Sequence, residues 1–265
     1  MDRNENLEYI LRTLIDERPE YSALEVPPSL EERQRMMRAL LNVRESHPVS
    51  AEFLVTQNEE LRLQLQDKGT VSVAETESVS GDGRLRLWQG DITRLKVDAI
   101  VNAANSALLG CFSPLHGCID NAIHSAAGVQ LRLACDALMR SQGHDEPTGQ
   151  AKITPGYNLP SRFVLHTVGP IVRGDMAMPF QERELAGCYT SCLSLADENS
   201  LESIAFCCIS TGVFGFPRQR AAEIALSTVR SYLAVNRGTS VKTVIFNVFK
   251  DEDYAIYEKL LHECD

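Results

Sequence analysis

The sequence contains no long apolar run and no excess of positive charge. Nowhere do about 18 apolar residues follow one another, the length that a membrane helix requires. The charged segment 1–21 offers no apolar stretch of signal-peptide length, so we expect a cytoplasmic protein without a membrane partner. The net charge of -10 argues against a nucleic-acid partner, because binding to a phosphate backbone usually needs a basic face.

Disulfides are not expected either, although the chain has eight cysteines, because cytoplasmic proteins rarely keep them. Cys111 and Cys118 lie with a histidine in the segment GCFSPLHGCID, and such clustering indicates metal ligands or reactive thiols. The other cysteines lie in apolar helical or strand patterns, where we interpret them as small buried hydrophobic residues: Cys135, Cys188, Cys192, Cys207, Cys208 and Cys264.

The segment GCFSPLHGCID has the composition of a metal-binding loop. Pro114 and Gly117 favour a loop, and residues two apart on a regular helix would point about 200° apart, too far to share a metal ion. Two thiolates and an imidazole, from Cys111, His116 and Cys118, suit zinc and leave a fourth position for water or substrate. We therefore expect an open zinc site.

Two alternatives stay open for this loop. The first is a closed structural zinc, with His124 or Cys135 folding back as a fourth ligand, and the second is a pair of metal-free thiols. His124 and His166 lie within apolar runs, and we interpret both as structural histidines whose hydrogen bonds are satisfied.

The chain divides near residue 70 into two parts with different patterns of apolar and polar residues. Residues 1–69 carry three helical patterns and are expected to form a small all-helical N-terminal domain, whereas 70–265 alternate β-type and helical runs, which predicts an α/β fold. Segment 68–83, rich in Ser, Thr and Gly, indicates a linker or an edge hairpin. The candidate strands are 84–88, 97–104, 162–168, 202–210 and 242–249, and the helical patterns between them are 121–143, 179–200 and 219–238.

Loops that follow candidate strands are the usual ligand positions in open α/β sheets. Three such loops are QGDIT (89–93), NAANSALLG (102–110) and TGVFGFP (211–217). Gly212 and Gly215 remove side chains, so that consecutive backbone N–H groups can surround an anion beside a helix that starts near residue 218. The pattern predicts a phosphate cradle, although glycines in tight turns also occur without a ligand.

Ordered blocks connect these loops over residues 84–260: QGDIT, VDAIVNAANSALLG, IDNAIHSAAG, TGQAKITPGYNLPSRFVLHTVGP, ISTGVFGFP and VFKDEDYAIY. Together they resemble the macrodomain family of ADP-ribose-binding modules, which implies a three-layer α/β/α fold with a mixed central sheet. In hydrolases of the MacroD type, NAANSxLLG leads into a glycine run. Here CFSPLHGC replaces that run, which, with the helical N-terminal extension, resembles the zinc-dependent branch of protein-ADP-ribose hydrolases.

The resemblance implies binding roles along the cleft. Asp91 matches the aspartate that accepts from the adenine amino group, with the Ile92 backbone beside it, and Phe249 lies where an aromatic ring can pack against adenine or the proximal ribose. Asn105 matches the asparagine that contacts the distal ribose. Asp91 and Asn105 can also be plain turn residues, and Phe249 a core residue. The implied diphosphate loop consists of Ser210, Thr211, Gly212, Val213, Phe214 and Gly215.

The resemblance also implies catalytic residues at the scissile end of ADP-ribose. Asp120 matches the acidic residue of the family's V-D-G-x-I-H block and is a candidate to assist the attacking water, with Asn105 beside it. Zinc at this end can hold a ribose hydroxyl or the leaving carbonyl oxygen, or activate a water molecule. An Asp directly before a helical run is equally well explained as an N-cap.

The implied function is that of a zinc-dependent hydrolase that removes mono-ADP-ribose from modified protein side chains. Its partner is then a mono-ADP-ribosylated protein, with a lipoyl-carrier protein as one candidate, and its product is ADP-ribose. Two alternatives stay open: a non-catalytic ADP-ribose reader with a structural zinc, and a hydrolase of free ADP-ribose derivatives. A reader needs neither an open metal position nor Asp120.

Overall fold

A computed structural model describes residues 2–78 and 83–262. Met1, residues 79–82 and residues 263–265 lie outside the described part, and so does the predicted burial of Cys264. The helices are α1 (Arg3–Asp16), α2 (Leu30–Val43), α3 (Ala51–Lys68), α4 (Ile119–Ala127), α5 (Val129–Gln142), α6 (Pro179–Glu198), α7 (Arg218–Val235) and α8 (Asp251–His262). The strands are β1 (Val71–Ser72), β2 (Glu77–Ser78), β3 (Leu85–Gln89), β4 (Leu95–Lys96), β5 (Ala99–Ala104), β6 (Ala151–Pro155), β7 (Phe163–Val168), β8 (Ser203–Phe206) and β9 (Thr243–Val248).

One mixed sheet of seven strands has the order β2-β3-β9-β8-β5-β7-β6. Neighbouring strands are parallel except at the two edges, where β2 runs antiparallel to β3 and β6 antiparallel to β7. The central strands are buried along nearly their whole length, which requires cover on both faces of the sheet. Helices pack on these strands, so the predicted three-layer α/β/α fold with a mixed central sheet is confirmed.

Helices α1, α2 and α3 form a small hydrophobic core of their own. The hydroxyls of Ser29 and Ser50 cap α2 and α3 at their N-termini. Val129 of α5 belongs to the same cluster, so these helices pack onto the α/β layers. The boundary between 1–69 and 70–265 stays a prediction. The buried side chains of the helical cluster are Leu7, Ile10, Leu11, Leu14, Ile15, Met37, Leu40, Leu41, Phe53 and Leu61.

The helical pattern at 121–143 is divided at Gly128, where α4 ends and α5 begins. Gly128 has a φ of +90°, and a Cβ atom at this position would lie 2.6 Å from the side-chain nitrogen of Gln57. Gln57 of α3 reaches into the break, and its Oε1 accepts a hydrogen bond from the Val129 N–H at 3.0 Å. A tertiary contact thus occupies the helix break, which local periodicity could not indicate.

The strands also differ from their predicted limits. The candidate strand at 202–210 ends at Phe206, and the edge strand β6 was not expected, because its side chains are only partly buried and show no clear alternation. Segment 68–83 supplies β2, which pairs with β3 and fits the edge-hairpin interpretation as far as the described residues reach. Within those residues no helix is both long and apolar enough to cross a membrane. The cytoplasmic location stays a prediction.

Candidate functional site

An open cleft of about 1210 Å³ lies where the loops after β3, β5, β8 and β9 meet. These strands run parallel, so their carboxyl ends share one edge of the sheet, the usual position of a ligand in such folds. Gly215 is the one predicted site residue that does not line the cleft. Those that line it are Asp91, Ile92, Asn105, Cys111, His116, Cys118, Asp120, Ser210, Thr211, Gly212, Val213, Phe214 and Phe249.

The three predicted metal ligands converge at one end of this cleft. The ligand atoms of Cys111, His116 and Cys118 all lie within 4.8 Å of one another, and Cys111 Sγ is 3.6 Å from His116 Nδ1. Ligands around a tetrahedral zinc, with bonds of about 2.3 Å to sulfur and about 2.0 Å to nitrogen, would place sulfur and nitrogen about 3.5 Å apart. The donor set and its spacing therefore fit a zinc ion.

Cys118, one of the predicted metal ligands, is the N-cap of α4. Its Sγ accepts a hydrogen bond from the Asn121 N–H at 3.4 Å, which satisfies one free donor of the first helical turn. Burial raises the pKa of Cys118 to about 11, and the neighbouring Cys111 thiol acts in the same direction. The Cys118 thiol is therefore uncharged without a cation, and a bound divalent ion would favour its thiolate form.

Asp120 is not an N-cap, so that interpretation of this residue is wrong. It is the second residue of α4, and its carboxylate, 4% exposed, points towards β5. Oδ1 accepts from Asn102 Nδ2 at 2.8 Å, whereas Oδ2 has only a long contact with Asn105 Nδ2 at 3.5 Å. Burial raises the pKa of Asp120 to about 6. The side chain thus offers one weakly engaged carboxylate oxygen to the cleft.

Asn105 is a turn residue that also lines the cleft, and its role at the distal ribose stays a prediction. Its Oδ1 accepts from the Ala107 N–H at 3.1 Å, as a turn residue does, and its Nδ2 donates to the Gly110 carbonyl oxygen at 3.0 Å. It also lines the cleft beside Asp120, and its second amide proton is engaged only in the long 3.5 Å contact with Asp120 Oδ2, for which a ligand can compete.

The two buried histidines differ in their surroundings. His166 is satisfied as predicted, because Asn102 Nδ2 lies 3.2 Å from Nδ1 and Thr154 Oγ1 lies 2.9 Å from Nε2. For His124 the prediction was wrong: neither ring nitrogen has a hydrogen-bond partner within the described residues, and Nε2 lies 3.5 Å from Asp120 Oδ1. Burial lowers the pKa of both rings, that of His166 to about 3, so both are neutral.

His124 and Cys135, considered above as a fourth zinc ligand, instead form a separate buried group with His166. Both ring nitrogens of His166 are already engaged, and burial raises the pKa of Cys135 to about 12. This inner group is therefore a polar part of the core. Among the described residues, neither His124 nor Cys135 belongs to the group of possible ligand atoms formed by Cys111, His116 and Cys118. This separation favours the open zinc site over the closed one.

The loop after β8 presents unpaired backbone donors to the cleft. The N–H groups of Gly212, Val213 and Phe214 donate to no group of the described chain, although the flanking Thr211 and Gly215 N–H groups do. Gly215 closes the turn with a φ of +70°, and a Cβ atom there would lie 2.8 Å from the Val172 carbonyl oxygen. Three consecutive free N–H groups in a concave loop are the arrangement that binds phosphate oxygens.

The opposite end of the cleft has an acidic group beside an exposed ring. Asp91 Oδ1 accepts from the Thr93 N–H and hydroxyl, and Oδ2 lies 3.2 Å from Lys68 Nζ. Burial acts to raise the pKa of Asp91, but the hydrogen bonds from Thr93 and the charge of Lys68 outweigh it and lower that pKa. Phe249 is 74% exposed, so it is not a core residue and its ring is available for stacking.

One wall of the cleft was not expected from the sequence. Helices α2 and α3 supply it through polar and apolar side chains, with Arg38 near the metal ligands and Lys68 near Asp91. Neither helix carries a motif that signals a site, and the contacts join residues far apart in the chain. The cleft residues from these helices are Glu31, Gln34, Arg35, Met37, Arg38, Leu41, Leu61, Gln64, Leu65 and Lys68.

Comparisons with known proteins agree with this geometry. The family model described as Macro domain matches residues 101–225. A protein-ADP-ribose hydrolase from Treponema medium is 48% identical over 98% of this chain and 100% of its own length. A mutant macrodomain of Oceanobacillus iheyensis, solved with ADPR, has 40% identity and a TM-score of 0.62, covering 71% of this chain and 97% of its own. A Trypanosoma brucei macrodomain in complex with ADP-ribose has 32% identity and a TM-score of 0.66, covering 89% of this chain and 97% of its own.

Proposed function

The chain belongs to the macro domain family, and we propose that it is a zinc-dependent hydrolase that releases single ADP-ribose units from modified protein side chains. The family and the hydrolase name of a relative with 48% identity support the enzyme class. The observation that carries the zinc requirement is the convergence of two thiols and an imidazole, with sulfur and nitrogen 3.6 Å apart, in a cleft that is also lined by the glycine turn with free N–H groups.

ADP-ribose bound in this cleft would extend from Asp91 to the metal ligands. The adenine amino group would donate to Asp91 Oδ2, with the exposed Phe249 ring against adenine or the proximal ribose. The diphosphate would accept from the free N–H groups of residues 212–214. The distal ribose then lies beside Asn105, whose remaining amide proton can hold a hydroxyl. This orientation brings the bond to the modified protein towards the loop ligands.

Hydrolysis at that end joins a water oxygen to the anomeric carbon of the distal ribose and breaks its bond to the protein side chain. Asp120 Oδ2, which has only one long contact, is the atom placed to take the proton from the water as the new bond forms. Asn102 holds the other carboxylate oxygen at 2.8 Å and so fixes its direction. Zinc, if held by Cys111, His116 and Cys118, would supply Lewis acidity at this end of the cleft.

The structure gives more support to an enzyme than to a reader. A reader needs the adenine and diphosphate contacts but no carboxylate at the ribose end, and Asp120 keeps a buried carboxylate there without capping α4. Burying a carboxylate costs free energy unless hydrogen bonds compensate it, and here Oδ1 accepts one from Asn102 whereas Oδ2 has only the long contact with Asn105. The same chemistry would act on free ADP-ribose derivatives, so the protein substrate has to be tested separately. A lipoyl-carrier protein is one substrate to include.

The test is metal analysis of the purified protein together with release assays on a mono-ADP-ribosylated protein. We expect about one zinc per chain, loss of release on treatment with a chelator, and recovery on adding zinc. Binding of free ADP-ribose should persist in the chelated protein. Full release by metal-stripped protein would refute the zinc requirement, whereas retained binding with no release under any condition would favour the reader. Comparing a modified protein with free ADP-ribose derivatives separates the two hydrolase hypotheses.

A further inference from the structure

Helix α2 contacts the metal loop, defined here as residues 110–118, through an arginine. Arg38 Nη2 donates to the backbone carbonyl oxygen of His116 at 3.2 Å. The same guanidinium donates to Asn121 Oδ1 from Nη2 at 2.8 Å and from Nε at 3.2 Å. Asn121 in turn donates from Nδ2 to the Ser113 carbonyl oxygen at 3.0 Å. Arg38 therefore binds the backbone of His116 directly and is linked to the backbone of Ser113 through Asn121.

A second side chain of α2 fixes the residue before that ligand. Asn42, 1% exposed, accepts from the Leu115 N–H at 3.0 Å and donates to Ser125 Oγ at 2.9 Å. Leu115 has a φ of +57°, in the left-handed region that is strained for a non-glycine residue. Such a conformation persists only when its surroundings impose it. Here a buried amide from the N-terminal helices does so.

The loop is also linked to α2 through α5. Arg132 of α5 donates to the Leu109 carbonyl oxygen at 2.6 Å and to the Leu41 and Asn42 carbonyl oxygens near the end of α2, at 2.9 and 3.0 Å. Its guanidinium also lies over the Phe112 ring, 4.4 Å from the centroid. Residues preceding His116 are therefore tied to the same end of α2 that carries Asn42.

We propose that α2 positions the metal loop, with Arg38 and Asn42 as positioning residues that hold His116 in place for the ion. The proposal rests on the proposed function, because it presumes a zinc ion at this loop. Three ligands spread over eight residues of irregular chain cannot order themselves, so part of the affinity for zinc must come from their supports. Loss of such outer partners typically lowers metal affinity by about 10–100-fold.

The test compares two arginines of the same helix. Arg38→Met removes the donors but keeps the aliphatic stem. Arg33→Met is the matched control, because Arg33 also donates to two backbone carbonyl oxygens, those of Pro27 and Asn4, but contacts neither the metal loop nor the cleft. We expect zinc affinity, measured by competition with a chromophoric chelator, to fall at least about tenfold in Arg38→Met and to change less than about threefold in Arg33→Met.

Two further measurements separate positioning from general destabilisation. The melting temperature of the metal-free protein should fall by similar amounts in both variants. The visible spectrum of the cobalt-substituted protein should change only in Arg38→Met, because it reports the arrangement of ligands around the ion. If Arg38→Met does not fold, Arg38→Lys serves instead, since it keeps one donor and should give an intermediate zinc affinity.

The possible failures are distinguishable. Wild-type protein that binds no zinc would overturn the proposed function and this proposal together. Wild-type protein that binds zinc, with Arg38→Met or Arg38→Lys binding it equally well, would overturn the positioning role alone. Equal losses in Arg38→Met and Arg33→Met would likewise overturn it, because they would show a general effect of the helix.

Discussion

Cys118 caps α4 and is also a proposed zinc ligand, and one substitution can separate these two functions. As a metal ligand it needs sulfur, but as the N-cap of α4 it needs only an acceptor for the Asn121 N–H. Serine is a better N-cap than a thiol and a much poorer zinc ligand. Cys118→Ser should therefore keep the cap of α4 and lose the ion, whereas Cys118→Ala should lose the cap as well as the ion.

The expected magnitudes follow from these roles. Replacing a capping serine by alanine costs about 1 kcal/mol, which corresponds to about 2–4 °C in Tm for a chain of this size. Metal-free Cys118→Ser should then melt at or above the wild-type temperature, with Cys118→Ala about 2–4 °C below the serine variant. Zinc affinity should fall more than about 100-fold in both, since losing a ligand exceeds the effect of losing its support.

The assay combines thermal melting of metal-free protein, zinc titration, ADP-ribose binding and release from a modified protein. Both variants should bind free ADP-ribose within about tenfold of wild type, because the adenine and diphosphate contacts lie elsewhere in the cleft, and neither should release it from protein. Normal release by Cys118→Ser, with its zinc retained, would refute the assignment of this residue as a ligand.

Three other substitutions test the remaining parts of the cleft. Asp120→Asn should lower release by about 100-fold or more while Tm and ADP-ribose affinity hold, and unchanged turnover with a lower Tm would contradict a catalytic role. Gly215→Ala should destabilise the fold by about 1–2 kcal/mol and weaken ADP-ribose binding in calorimetry, because of the φ of +70° and the close Val172 carbonyl oxygen. Asp91→Ala should weaken ADP-ribose binding at least about tenfold, and equal affinity would remove Asp91 from the adenine site.

Residues within single motifs could be placed from the sequence. Cys111, His116 and Cys118 are close in the chain, and their types already limit them to a loop that suits a soft cation. The glycines at 212 and 215 likewise indicated a turn with free N–H groups. In both cases the residues that form the feature are close together in the chain, so their spacing and types are sufficient to predict it.

Contacts between segments far apart in the chain could not be predicted from the sequence. Arg38 meets Asn121, 83 positions away, and a lone arginine on an amphipathic helix has no feature that marks such a partner. The start of α4 shows the same limit on a smaller scale. The helix begins two residues earlier than an N-cap at Asp120 would require, so Cys118 is the N-cap and the Asp120 carboxylate points towards β5. Only the packed structure shows which of the two residues caps the helix. The unsatisfied ring of His124 is likewise a property of its buried neighbours.

The two outer strands of the mixed sheet bear on how the molecule behaves at high concentration. An exposed strand can recruit the backbone of another copy and begin aggregation. Here the described part of β2 has only two residues, and β6 carries Lys152 and ends at Pro155, which has no N–H to donate. Neither edge strand is a good template for pairing with a strand of another copy, so edge-to-edge aggregation of the native protein is disfavoured.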